Sequence, residues 1–193
     1  MLHQQKKASD DQKFKELLIF IASRSEGDET YGATKLNKLL FFSDFLAYRR
    51  LGQSITNAKY QRLPKGPAPR KLKPVVRELE AANDIVQVKR DSFGYVQERV
   101  IARRDADLNV FSAEEIGVVT EVLQRFRGMN ATQISDYSHE FAGWQLAEDG
   151  EDIPYSTVLV SFEEPSAADR QFAESQRESL AHLAAEAQSR GQS

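Results

Sequence analysis

Three histidines occur in the chain, at positions 3, 139 and 182. His139 is the one placed for acid–base work, because Asp136 and Glu140 lie close enough in sequence to orient an imidazole. Nothing around it completes a reactive centre. No His-x-x-x-His pair, Gly-x-Ser-x-Gly elbow or phosphate-binding loop is present. The absence of cysteine excludes a thiolate nucleophile, a disulfide and a Cys-based metal site. His139 is therefore expected to be structural, bonding a backbone group while Trp144 packs on the same helix end. Asp44 is the second candidate. It lies in the most apolar stretch of the chain, where a carboxylate needs donors, and a loop N–H or a cation is the expected partner. Lys35 and Lys38 are expected to anchor acidic groups nearby. The pattern implies no enzyme, no cofactor and no metal.

Binding chemistry is better represented than catalysis. The segment LPKGPAP, 63–69, carries three prolines and a glycine, which force a rigid turn. A shape fixed in advance costs little ordering on binding. Tyr60, Arg62 and Lys65, with Gly66 and Pro67 of the turn itself, are the candidate partner-binding residues, being aromatic and cationic types that recur at interface hot spots. The competing reading is that Pro67 simply opens the next helix.

A site of this kind needs a frame. The sequence ATKLNKLLFFSDFLAYRR, 33–50, places Leu36, Leu39, Leu40, Phe41, Phe42, Phe45, Leu46 and Tyr48 nearly all round a helix turning about 100° per residue. Such a helix is expected to be buried on several sides, with Arg49 and Arg50 at its C-terminal end and Gly52 as its stop. Before it, Asp10 or Asp11 can cap a helix running to about Ser25. After the proline turn, a helix is expected either from Pro67 with a kink at Pro74 or from Pro74 itself, ending near Asn83. Ile85–Arg90 and Tyr95–Ile101 read as a β-hairpin. Ser112 and Glu115 form a capping box for a helix ending at Gly128, and Asn130 caps another to about Phe141. Residues 1–10 are expected to be disordered, 11–162 to form the domain, and 163–193 a C-terminal helix or tail with a thin apolar stripe. The fold class is α+β: a mostly helical single domain around a buried central helix, with a small antiparallel β-hairpin or sheet.

No apolar run approaches the roughly 20 residues that cross a membrane, and the N-terminus lacks a hydrophobic signal segment, so a cytoplasmic protein without membrane contact is expected. The net charge of −3 hides an asymmetry. Residues 1–104 carry 21 Lys or Arg against 12 Asp or Glu, and residues 105–193 carry 5 against 17. Either the two halves complement each other or the basic half meets an acidic partner.

Three stretches together resemble a known family. KLNKLLFFSDF (35–45), YQRLPKGPAP (60–69) and SHEFAGW (138–144) follow, in order, the signatures of the Panacea domain of SocA-like antitoxins, over about residues 12–160. Lys35, Leu36, Lys38, Leu39, Leu40, Asp44, His139 and Trp144 fall on its motif positions, while Lys65 stands where the family usually has an aromatic residue. The resemblance implies a non-enzymatic antitoxin of a bacterial or prophage toxin–antitoxin system. It implies a partner, a cognate toxin protein neutralised by direct binding, and in some members a protease such as ClpXP to which the toxin is handed. The alternative drawn from the residues alone is a winged-helix DNA-binding regulator. It would use Arg70, Lys71, Lys73 and Arg77 on the third helix and Lys89 and Arg90 on the hairpin to meet phosphates. Nucleic acid is the less favoured partner, because that reading gives the Gly-Pro turn no role.

Overall fold

The computed structural model describes residues 8–92 and 95–160, together with helical positions 167, 170, 171, 174 and 177. The chain divides into two compact units, residues 1–160 and residues 161–193. Phe172, Leu180 and Leu183, the expected stripe of the last segment, lie outside the described residues. In chain order the first unit contains α1 (Asp10–Arg24), α2 (Ala33–Leu51), β1 (Tyr60–Gln61), β2 (Ala68–Pro69), α3 (Leu72–Ala81), β3 (Ile85–Ser92) and β4 (Tyr95–Ala102). A 3-10 turn at Leu108–Val110 leads to α4 (Ala113–Arg125), α5 (Ala131–His139), α6 (Ala142–Leu146), β5 (Asp152–Ile153) and a second 3-10 turn at Tyr155–Leu159. The architecture is α+β and mostly helical, with small antiparallel sheets.

Helix α2 is the interior rod its composition demands. Leu36, Leu39, Leu40, Phe41 and Phe45 are buried, and α1, α4, α5, β2, β4 and the second 3-10 turn all pack on it. The rings of Phe41, Phe45, Tyr60 and Phe141 meet edge-on or tilted at centroid separations of 4.2 to 5.6 Å, the arrangement aromatic quadrupoles prefer. Gly52 stops the helix at φ +73°, with its N–H on the Tyr48 carbonyl.

Helix starts follow the local chemistry, with two corrections. Ser9, not Asp10 or Asp11, caps α1, accepting from the Gln12 N–H, while the two aspartates sit in the first turn. Ser9 and Asp10 thus belong to an ordered helix start within the stretch expected to be disordered; residues 1–7 lie outside the described residues. Helix α3 begins at Leu72, neither at Pro67 nor at Pro74. Pro74 falls in its first turn, where the missing N–H has no helical acceptor to lose. The capping boxes of Ser112 with Glu115 and of Asn130 with Gln133 both form. Helix α5 ends at His139 rather than Phe141, and Phe141 starts α6, which carries Trp144.

The strands separate into two groups. β3 and β4 pair antiparallel over eight residues, from Ile85 with Ala102 to Ser92 with Tyr95. The other sheet has the order β2-β1-β5, and it exists because the proline turn folds β2 back on β1, pairing Tyr60 with Pro69 and Gln61 with Ala68. Pro69 is tolerated there because β2 is an edge strand.

Candidate functional site

The proline turn is seated on α2 and α5 through one close junction. Gly66 has φ +91°, open to glycine at no steric cost, and its N–H closes on the Leu63 carbonyl at 2.8 Å. A β-carbon at this position would fall 2.2 Å from Ser138 Oγ and 2.7 Å from Lys38 Cε. All three motif stretches therefore meet at one point: Lys38 from the first, Gly66 from the second and Ser138 from the third. Ser138 Oγ donates to the Ser135 carbonyl at 2.7 Å. Lys38 Nζ donates to the Pro67 carbonyl at 3.0 Å and, among the described residues, pairs with no carboxylate. The expectation of an acidic partner for Lys38 is thus corrected: its acceptor is a backbone carbonyl. Burial disfavours the ammonium form and pushes Lys38 down to about 7.

Lys35 does take an acidic partner. Its Nζ lies 2.6 Å from Asp28 Oδ2, 2.8 Å from Thr30 Oγ1 and 2.8 Å from the Met129 carbonyl. It straps the α1–α2 loop to the α4–α5 loop. Burial lowers its pKa, against the pull of Asp28. Asp44 is fully buried and accepts from the Thr56 N–H at 2.8 Å, Thr56 Oγ1 at 2.6 Å and the Tyr60 hydroxyl at 2.7 Å. Burial raises this carboxyl above its ordinary range while the donors pull the other way. Asp44 ties α2 to β1 and to the loop that precedes it.

A three-layer stack lies beneath the turn. The Arg62 guanidinium sits 4.4 Å from the centre of the Trp144 ring, and the His139 ring stacks on Trp144 at 4.0 Å and 21°. Trp144 Nε1 donates to the Leu63 carbonyl at 3.1 Å, and Arg62 pairs with Asp149 at 3.2 Å. The expected packing of His139 with Trp144 is there, but the backbone bond of this pair is made by the indole. His139 Nε2 is enclosed without a hydrogen-bond partner.

Of the five candidate contact residues, Tyr60, Gly66 and Pro67 are buried, Arg62 is half-buried in the stack, and Lys65 is exposed. Burial removes Tyr60, Gly66 and Pro67 from direct contact and makes them the seat of the turn. The outward part is Leu63, Pro64 and Lys65. Sequence reasoning did not single out Ser138 or Leu63; Ser138's place in the third motif was the available signal, but its meeting with Gly66 spans 72 positions. Among the cations of the DNA-binding reading, Arg70 pairs with Asp152 and Lys71 with Asp11, so both are engaged within the chain. Among the described residues no group of His, Asp and Glu is placed to hold a metal, and no helix is long and apolar enough to cross a membrane.

The model of one protein family, described as "Antitoxin SocA-like, Panacea domain", matches residues 36–145. That span runs from the first turn of α2 to α6 and includes the turn, its seat and the stack. No curated protein and no solved structure matches the chain.

Proposed function

The chain belongs to the SocA-like antitoxin family with its Panacea domain, and from that membership we propose that it neutralises a cognate toxin by direct binding. The contact face in this reading is the outward edge of the proline turn, Leu63, Pro64 and Lys65, backed by the Arg62–Trp144–His139 stack. The observation that supports it most is the Gly66 junction. Three motif stretches are spent on holding one exposed tripeptide in a fixed shape, and none on assembling a nucleophile, a base or a metal. A preformed apolar and cationic edge suits recognition of a folded partner with little ordering cost. The protein acts here without catalysis, in a bacterial or prophage toxin–antitoxin pair.

The test is co-purification with the product of the neighbouring gene, followed by affinity measurement. Leu63→Asp combined with Lys65→Glu should weaken binding at least about tenfold, a loss of roughly 1.4 kcal/mol or more, with the thermal midpoint unchanged because both side chains are exposed. Unaltered affinity would remove the turn from the interface, and failure of any neighbouring product to bind would remove the antitoxin reading itself. Delivery of the toxin to a protease such as ClpXP would show as toxin loss that needs both this chain and the protease.

A further inference from the structure

A surface cavity of about 310 Å³ lies where the starts of α1 and α4 meet the end of α2, the loop behind it and the second 3-10 turn. None of its lining residues belongs to the proline turn or to the stack. Part of the lining is aromatic. The rings of Tyr48 and Tyr155 lie 5.5 Å apart and 19° from parallel. Tyr155 is held from behind by the Phe45 ring at 4.7 Å, and its hydroxyl donates to the Ala58 carbonyl at 2.7 Å. The cavity also takes in an amine and two carboxylates. Lys13 Nζ lies 2.6 and 2.9 Å from the two oxygens of Glu115, and Glu115 Oε2 accepts from the Ser112 N–H at 2.8 Å, so this pair is spent on itself. Asp10 differs. It is exposed, and its Oδ2 accepts from Asn57 Nδ2 at 3.1 Å. Among the described residues its Oδ1 accepts from no donor and no cation pairs with it. Burial, then the charge of Asp44 and more weakly that of Asp10, hold the Tyr155 hydroxyl above the ordinary tyrosine range, so the Asp10 carboxylate reaches the aromatic lining.

These groups select an occupant. With Lys13 and Glu115 cancelling, the charge left over is that of Asp10, which attracts a cation and repels an anion. The end of α2 acts in the same sense: Gly52 lines the cavity, and the carbonyls of the last turn carry the negative end of the helix dipole. Arg50 of that turn is already paired with Glu121. Tyrosine rings hold cations over their faces, and a planar guanidinium can stack on them where a compact ammonium cannot. The volume lies at the small end of the roughly 300–1,000 Å³ of ligand pockets, which suits a single side chain. We infer that this cavity, lined by Tyr48 and Tyr155 and charged by Asp10, receives an arginine side chain. The chain builds the same combination internally, where Arg62 lies 4.4 Å over Trp144 and pairs with Asp149.

Titration of the isotope-labelled full chain with Nα-acetyl-L-arginine N-methylamide, followed by amide chemical shifts, tests this. The amides around Asp10, Asn57 and Tyr155 should move along one saturable curve with a dissociation constant of about 1–10 mM, the scale of a lone side chain, while that of Lys65 stays in place. The matching citrulline compound, which has the shape without the charge, should not bind. The matching lysine compound should bind at least about threefold more weakly, because it cannot stack. Asp10→Asn should weaken the arginine compound at least about tenfold, the scale of one hydrogen bond to a charged group. Tyr48→Leu should weaken it about threefold or more. That change also alters the packing on Tyr155, so Asp10→Asn, at an exposed position, carries the test. Free L-arginine binding more tightly than the blocked compound assigns the cavity to a small molecule. Equal or weaker binding of the free amino acid assigns it to a side chain of a partner protein, and both support the site. No saturable shift at about 50 mM arginine compound, citrulline or lysine binding equally well, or an unchanged affinity in Asp10→Asn overturns it. No toxin enters this experiment, so the cavity and the antitoxin reading can fail separately.

Discussion

Lys38 shows how one buried cation can be read from both its partner and its titration. Its single acceptor is the Pro67 carbonyl, and burial holds it down at about 7. In the unfolded chain it titrates near the ordinary lysine value of about 10.4. Between those values the unfolded chain binds more protons than the native one, so stability rises as the pH rises from about 7 towards about 10. Below about 7 the native lysine is charged too, and its full burial penalty applies. Lys38→Met should therefore flatten the pH dependence of urea unfolding between about pH 7 and 9.5 relative to the wild type. A wild-type profile over that window that parallels the variant's would mean the amine keeps its ordinary affinity for protons. Gly66 offers a sharper test at the same junction. Alanine there must hold φ at +91° and place its β-carbon 2.2 Å from Ser138 Oγ. Strain and overpacking together should cost on the order of 3 kcal/mol or more in chemical denaturation. Gly66→Ala combined with Ser138→Ala should recover part of that loss, because the serine oxygen is the nearest obstacle.

Helix α2 carries most of the packing, and its aromatic cluster should respond accordingly. Phe41 is fully buried and touches the rings of Phe42, Phe45, Tyr60 and Phe141. Phe41→Ala should lower unfolding stability by roughly 3–5 kcal/mol, since the neighbours are held by several elements and cannot close the space. The helix was legible in the sequence because apolar residues on all its sides admit only burial. The hairpin was legible from β-branched runs around a turn, and the Ser112–Glu115 capping box from its four-residue signature. These are local signals. The start of α3 was not legible, because Pro74 is compatible with a first turn as well as with a break, and where the helix begins is set by the pairing of β2 with β1 just before it. The ordering of the candidate site was half visible. Asp44 and Lys35 found the kinds of partner their burial required. Tyr60, Gly66 and Pro67 looked like contact residues from their types, yet their types serve the seat: a hydroxyl for Asp44, a positive φ, and a carbonyl for Lys38. Nothing local marks Ser138 as the residue that makes Gly66 obligatory.

Part of the asymmetric charge is met inside the molecule. Lys13 with Glu115, Arg50 with Glu121, Arg62 with Asp149 and Arg70 with Asp152 all join the basic residues 1–104 to the acidic residues beyond. Most of these pairs are at least partly exposed and contribute little stability each, but they leave a less one-sided surface than the sequence suggests. That weighs against a phosphate-tracking surface. If DNA were the partner, affinity would fall steeply with added salt and Lys71→Glu with Arg77→Glu would abolish it; Lys71 is already held by Asp11, so little change is expected. The buried apolar residues described in the first unit run from Phe14 to Ile153. A chain ending at Val160, the last residue of the first compact unit, keeps all of these buried residues and should hold its thermal midpoint to within a few degrees. In the antitoxin reading the segment 161–193 supplies a second contact, and its removal should weaken toxin binding while leaving the Leu63 and Lys65 substitutions with their full effect. Two separate contacts add in free energy, so the shortened chain carrying both substitutions should lose the sum of the two penalties. An unchanged affinity in the shortened chain would confine recognition to the first unit, and a loss smaller than the sum would mean that both changes act on one shared contact.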